Sequence, residues 1–289
     1  MKMKNFEVKE SEKHPLKKHK TLIKPLFKTE DEAKDELKKT QGQLSDYQEL
    51  LYAQNQWSVL VVLQGMDTAG KDGLIEHVMK SVNPQGCEVT SFKQPTHLEL
   101  DHDFLWRTHA HLPQRGRIGV FNRSYYEDVI VPSVHPEILD SSQLPNEVRS
   151  KKLIKDRCHD IVNFEKYLAR QGVLVIKIFL HLSKQEQKNR LLRRLEIPEK
   201  NWKFEASDMV ERGFWDKYQK AYNFCIEHTT HETAPWYVIP ADDKLTARVI
   251  ASDLITSKMS ELKLSFPKVD AEKQRLLKKY RAELKNSKR

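Results

Sequence analysis

"WSVLVVLQGMDTAGKDGLIEHVMKSV", residues 57–82, decides how this chain folds. It opens on a continuous apolar, valine-rich run, the pattern of a strand buried on both faces. The run enters a glycine loop, "GMDTAGKDG" (65–73), and "LIEHVMKSV" (74–82) reads as a helix. Strand, glycine loop and helix in that order form the context in which G-x-x-x-x-G-K-[ST] holds phosphate. Gly65, Gly70 and Lys71 fall in register with that pattern. Glycine lets the backbone approach a ligand closely. The loop N–H groups, those of Ala69, Gly70 and Gly73 among them, and the helix N-terminus then face phosphate oxygens. Lys71 adds a point charge.

Two features depart from the pattern. Asp72 stands where a Ser or Thr is expected, and Asp67 puts a second carboxylate inside the loop. Ordinary P-loop enzymes hold Mg²⁺ with that hydroxyl and with an Asp at the end of a second strand. The matching strand here ends "GVFNRS" (119–124), with Asn122 at that place. The metal carboxylates have thus moved from the second strand into the first loop. Asp67 and Asp72 are expected to bind Mg²⁺, and through it the phosphates, since Mg²⁺ suits one or two carboxylates completed by water and phosphate oxygens. The plainer alternative makes Asp72 a first-turn acid favoured by the helix dipole.

Outward from the loop, strand and helix patterns alternate. Strands are expected at 57–64, 87–93, 117–121, 173–183 and 236–241. Helices are expected at 31–55, 74–82, 98–112, 150–172, 184–197, 208–229 and 244–262. This alternation implies an α/β fold, a parallel five-stranded sheet with helices on both faces. Residues 1–30 are Lys-rich and read as an extended basic arm, 31–265 as the phosphotransferase domain, and 266–289 as a charged tail.

Further candidates sit where strands end, the side on which open α/β sheets bind ligands. "FNRSYYEDV" (121–129) supplies Arg123, able to meet phosphate bidentately, and Glu127, able to face an acceptor or metal. "SFKQPT" (91–96) supplies Lys93. The densest basic stretch, 184–204, follows the fourth strand and reads as a lid over phosphates, about residues 184–210. Its Arg190 and Arg194 are four residues apart and can share one face.

Composition narrows the class. The chain has 289 residues and a net charge of +9, which suits a polyanionic partner. No apolar run is long enough to span a bilayer, and the basic start lacks the apolar core of a signal peptide. The three cysteines are far apart, without metal-ligand spacing, and fit reduced thiols in the cytoplasm. His97, His102, His109 and His111 cluster without a zinc pattern.

"LQGMDTAGKDG" (63–73), "NPQGCEVTSFKQPT" (83–96), "FNRSYYEDV" (121–129), "NWKF" (201–204) and "APWYVIPADDK" (234–244) together resemble the polyphosphate kinase type 2 family, in the right order. The resemblance runs from about residue 40 to residue 265. It implies a thymidylate kinase-like P-loop core with a helical lid, and reversible phosphoryl transfer between inorganic polyphosphate and nucleotides with Mg²⁺ (or Mn²⁺). By position, Asp67, Asp72 and Lys71 match the family's loop residues and Arg123 its arginine after the second strand. Lys93, Arg190 and Arg194 fall where the polyphosphate channel would lie. "NRSYYEDV" looks like members that phosphorylate both AMP and ADP, with Glu127 at the position that distinguishes them from the ADP-preferring "RSWYN" class. Guanine nucleotides, a homo-oligomer (dimer or tetramer), and no membrane or nucleic-acid partner are further expectations. One departure is "PADDKLTAR" (240–248), where relatives often carry bulky aromatics after the lysine. Two other readings stand beside this one: an ATP-dependent nucleoside monophosphate kinase, and a non-catalytic polyanion- or RNA-binding protein.

Overall fold

The computed structural model describes residues 2–140, 144–150 and 152–286. Five strands form one sheet: β1 (Ser58–Gly65), β2 (Cys87–Ser91), β3 (Ile118–Asn122), β4 (Val173–His181) and β5 (Trp236–Pro240). They lie in the order β2-β3-β1-β4-β5, all parallel. β1 is central, pairing Val61 with Val120 on one side and with Ile176 on the other. Every residue of β1 is buried, as its unbroken apolar run implied.

The principal helices are α1 (Glu30–Gln54), α2 (Lys71–Val78), α3 (Glu127–Val134), α4 (Leu153–Arg170), α5 (Lys184–Glu196), α6 (Ala206–Gly213), α7 (Trp215–Thr229), α8 (Lys244–Ser260) and α9 (Ala271–Asn286). They divide the core in two. Val59, Val61 and Leu63 pack with Leu44 and Leu51 of α1, Leu74 and Val78 of α2, and Ile250 and Leu254 of α8. Leu60 and Val62 point the other way, onto Val129 of α3, Ile161 of α4, and Tyr222 and Ile226 of α7. The two-residue period of a strand produces this split. The chain leaves β1 toward β2 and β3, then crosses back to β4. The loops after β1, β3 and β4 therefore meet at one end of the sheet.

Several boundaries differ from expectation for identifiable reasons. Residues 98–112 do not form one helix but two short turns, His97–Leu100 and Trp106–His109. Between them the Asp103 carboxylate accepts the Leu105 N–H at 2.9 Å, the local bond by which Asp competes with helix. The expected helix at 208–229 is interrupted after Gly213, a poor helix former. Helix α3 was not expected, because it contains Pro132 and branched residues. Pro132 has no N–H for the Asp128 carbonyl; Arg157 Nη1 donates to that oxygen instead, at 2.6 Å. Lys151, within the helix expected at 150–172, lies outside the described residues.

The N-terminal segment has little regular structure, but it is docked along the domain. Phe6 and Val8 are buried, Val8 N–H donates to Trp236 O at 2.8 Å, and Glu7 bridges antiparallel to Tyr237. Its lysines stay exposed while Phe6, Val8 and Leu16 join the core. Helix α9, in the tail, buries none of its described residues. Cys87, Cys158 and Cys225 are free thiols.

His181 ends β4 with 6% exposure, and its Nδ1 has no hydrogen-bond partner. Burial pulls its pKa from 6.5 down to about 4, partly opposed by a backbone bond to His19 and by Asp242. Above pH 6.5 the ring is neutral in both states. Below it the unfolded chain takes up a proton that the fold refuses. This group therefore removes stability as pH falls from about 6.5 to about 4, by at most about 3 kcal/mol. His181→Gln should flatten that part of the acid limb in urea-unfolding measurements; an identical slope in wild type and variant would show that His181 does not contribute.

Candidate active site

The loop after β1 turns back through Thr68, held at φ 64°, and closes with the Ala69 N–H donating to Met66 O at 3.0 Å. Gly70 has φ 103°, in a region that side chains rarely adopt, and leads directly into α2. Gly65 is fixed by space: a Cβ there would come within 3.0 Å of Leu180 O and 3.1 Å of Ala69 Cβ. At Gly73 a Cβ would meet Arg248 Nη2 at 3.4 Å. The loop thus places the first N–H groups of α2, which have no partner within the helix, at the floor of a cleft of about 950 Å³.

Lys71 is 9% exposed, and its Nζ donates to the loop carbonyls Gly65 O (2.8 Å) and Met66 O (3.4 Å). Burial and then the nearby Arg123 pull its pKa down; Asp67, Glu127 and Asp72 oppose them. An ammonium held this way has exchanged water for backbone carbonyls, and an arriving phosphate offers it a stronger partner.

Both loop carboxylates line the cleft. Asp67 Oδ1 accepts from Arg123 Nη2 at 3.1 Å, with about a third of its side chain exposed. Asp72 Oδ1 accepts from Asn122 Nδ2 at 2.6 Å. The two strand-end residues expected to matter after β3 therefore each meet one loop acid. Arg123 sits at φ 64°, a left-handed conformation that a non-glycine residue keeps only when its surroundings enforce it. Burial works against the Arg123 charge, but Glu127 and Asp67 raise its pKa above the usual value. Glu127 opens α3 and does not line the cleft; its charge acts on Arg123, Lys71 and Tyr222.

The donor set fits a hard divalent cation. It offers the two loop carboxylates in a cleft that Glu76, Glu205 and Asp208 also line, with no thiolate there, and no group of three or more His, Cys, Asp or Glu side chains that could hold a metal is found among the described residues. Such a set leaves coordination positions for water and phosphate oxygen, as Mg²⁺ requires.

Lys93 lines the cleft at the end of β2. Arg190 and Arg194 line it too, each already bonded to protein oxygens. Arg190 is 5% exposed. Its Nη1 donates to Thr68 O (3.0 Å) and Ala69 O (2.8 Å), its Nη2 to Ala241 O and Asp242 O, and its Nε to Glu186 at 2.9 Å. Its donors are spent on bracing the loop. Arg194 Nη1 donates to Asp208 Oδ2 at 3.0 Å and Lys203 O at 2.9 Å, fixing the turn Pro198–Lys203. Sequence separation predicted a shared face and could not show that backbone carbonyls occupy it.

Two cations were missed. Lys244 and Arg248, in the first turns of α8, face the cleft beside Arg193 and Lys200. Burial and then Arg190, Arg193, Arg248 and Lys200 pull the Lys244 pKa down. Their signal lay in "ADDKLTAR": an N-cap acid after a strand, then basic residues four apart, a spacing that shares a helix face. Asp243 is that cap, accepting the Thr246 N–H at 2.7 Å.

Comparison with known proteins agrees with this geometry. The sequence model of the Polyphosphate kinase 2 family matches residues 28–267. A Rhodopseudomonas palustris protein named ADP-polyphosphate phosphotransferase is 48% identical over 98% of this chain and 99% of its own length. A Meiothermus ruber protein named AMP/ADP-polyphosphate phosphotransferase is 43% identical over 81% of this chain and 84% of its own. The crystal structure of Polyphosphate Kinase 2 from Arthrobacter aurescens TC1 superposes with a TM-score of 0.85 at 36% identity, covering 94% of each chain. With residues 28–267 matched by the family model and nearly its whole length by a relative 48% identical, this chain belongs to the Polyphosphate kinase 2 family.

Proposed function

We propose that this protein reversibly transfers phosphoryl groups between inorganic polyphosphate and nucleotides, forming ADP from AMP and ATP from ADP. The observation that carries this reading is the cationic wall beside the loop. Arg193, Lys200, Lys203, Lys244 and Arg248 border the same cleft as Lys71, and burial, then the charges of Arg190, Arg193, Arg248 and Lys200, depress the Lys244 pKa. Gathering like charges in a cleft is unfavourable without a polyanion to neutralise them. A phosphate chain running from the loop along this wall does so. The names of the Rhodopseudomonas and Meiothermus relatives support the same substrates.

The chemistry asks for placement and charge neutralisation rather than a general base, because the attacking nucleotide phosphate is already ionised. The loop N–H groups and Lys71 hold the donor phosphates, and Arg123 meets the transferring group. Asp67 and Asp72 would hold Mg²⁺, which screens phosphate charge so that two anions can approach. Both sides of the reaction are phosphoanhydrides, so concentrations set its direction. Glu127 bears on the acceptor: through Arg123 it biases the site toward the shorter AMP.

An ATP-dependent monophosphate kinase leaves most of the cationic wall without a ligand. A polyanion-binding protein leaves Asp67 and Asp72 without a purpose in an anion site. Donor competition separates these readings: with AMP as acceptor, polyphosphate should support a far higher rate than ATP. Faster turnover with ATP would favour the kinase reading, and no turnover with either would favour the binding protein.

Lys244→Ala with Arg248→Ala should raise the polyphosphate KM about tenfold and flatten its salt dependence, by analogy with counterion release on nucleic acids; the nucleotide KM should move less. An unchanged polyphosphate KM and salt slope would remove these cations from the track. Arg190→Ala, by contrast, should lower Tm and kcat together, because it releases the loop.

Asp67→Asn and Asp72→Asn should each reduce kcat about a hundredfold or more with the fold intact, and chelation should stop wild-type turnover until Mg²⁺ is restored. Rates within a few-fold of wild type in both variants would refute the metal assignment. Glu127→Asn should depress AMP phosphorylation more than ADP phosphorylation; equal losses would exclude it from acceptor choice.

A further inference from the structure

Behind Arg123 lies a charged centre that phosphoryl transfer does not use. Glu165 of α4 and Lys177 of β4 are both fully buried, with Nζ 2.6 Å from Oε2. Glu165 Oε1 accepts the hydroxyls of Tyr125 (2.8 Å) and Tyr126 (2.7 Å), and Oε2 also meets His231 Nε2 at 2.9 Å. Lys177 Nζ donates in addition to Thr229 O at 2.6 Å. One carboxylate thus ties the segment after β3 to α4, β4 and the turn before β5.

Stability gives no reason for this centre. Well-packed apolar residues commonly hold a fold as well as a buried ion pair does. What hangs from it supplies the reason. Tyr125 and Tyr126 lie between Arg123 and Glu127, and Arg123 is held at φ 64°. Two bulky phenols anchored at their far ends fix the chain between them and the strand end, where Arg123 N–H donates to Leu63 O at 3.1 Å. We propose that Glu165 is a positioning residue for the reaction: through the Tyr125 and Tyr126 hydroxyls it holds the segment that aims Arg123 at the phosphates and keeps the Glu127 charge near it. The inference rests on the reading of Arg123 as a phosphate-facing group.

The test is a double-mutant cycle on kcat and KM, with Tm and circular dichroism measured on each variant. Tyr125→Phe with Tyr126→Phe removes only two oxygen atoms. It should lower kcat about tenfold or more, the scale of a misplaced catalytic group, and leave the polyphosphate KM within about twofold. Glu165→Gln with Lys177→Met, which removes both charges, should lower kcat alike and add little in the Phe background, since the hydroxyls act through that carboxylate. A drop in Tm with kcat per folded molecule unchanged would overturn the proposal, as would fully additive losses. Should the charge-removing pair not fold, the Phe variants decide the matter alone. Arg123→Ala separates the two claims: an active Arg123→Ala enzyme defeats the underlying reading, whereas an inactive one beside fully active Phe variants defeats only the positioning role.

Discussion

One buried guanidinium joins the parts of this site. Arg190 reaches from α5 to carbonyls of the β1 loop and of the segment after β5. The loops that follow β1, β4 and β5 are also tied by Gln187 Nε2 on Asp67 O (3.2 Å) and the Ser183 N–H on Asp242 Oδ1 (2.7 Å), and Arg190 spans all three. A planar group with five donors can satisfy several fixed carbonyls at once, which an ammonium could not do in the same geometry. With it in place, the backbone N–H groups of the loop keep a fixed direction and need no reorganisation when phosphate arrives, the condition for effective electrostatic stabilisation.

The charge arrangement around that loop is complementary in detail. Each loop acid rests against one group from the end of β3: Asp67 on Arg123, Asp72 on Asn122. Both acids therefore stay oriented without a metal while keeping oxygens for one. On the far side the cations Arg193, Lys200, Lys203, Lys244 and Arg248 outnumber the acids Glu76, Glu205 and Asp208 that line the same cleft, so its approach is basic while both loop acids sit at its floor. That polarity suits a metal at the point of transfer and a polyanion leading away from it.

Much of this was legible before any coordinates. β1 and β4 stand out because doubly buried parallel strands are nearly all apolar, as "VLVVL" is and as "VLVIKIFL" is apart from Lys177. Asp67, Asp72, Lys71 and Arg123 were legible because they flank strand ends at short spacing. What was not legible depends on contacts distant in sequence. Lys244 and Arg248 reach the loop only because β5 pairs with β4. Arg190 looked like a ligand because its charge is visible in the sequence and its carbonyl partners, more than fifty residues away on either side, are not. Helix α3 was hidden by Pro132, whose missing bond Arg157 replaces from another helix.

The central claim is that the phosphates of an inorganic chain and of a nucleotide exchange directly in one metal-dependent site. Phosphorus-31 NMR of the purified protein with Mg²⁺, polyphosphate and AMP tests it without coupling enzymes. The account predicts loss of internal polyphosphate signal matched by the β-phosphate resonance of ADP and then the γ-phosphate of ATP. It also predicts the reverse, polyphosphate growing at the expense of ATP, when only ATP is supplied. Release of orthophosphate alone, or no change in any phosphoanhydride resonance, would contradict it.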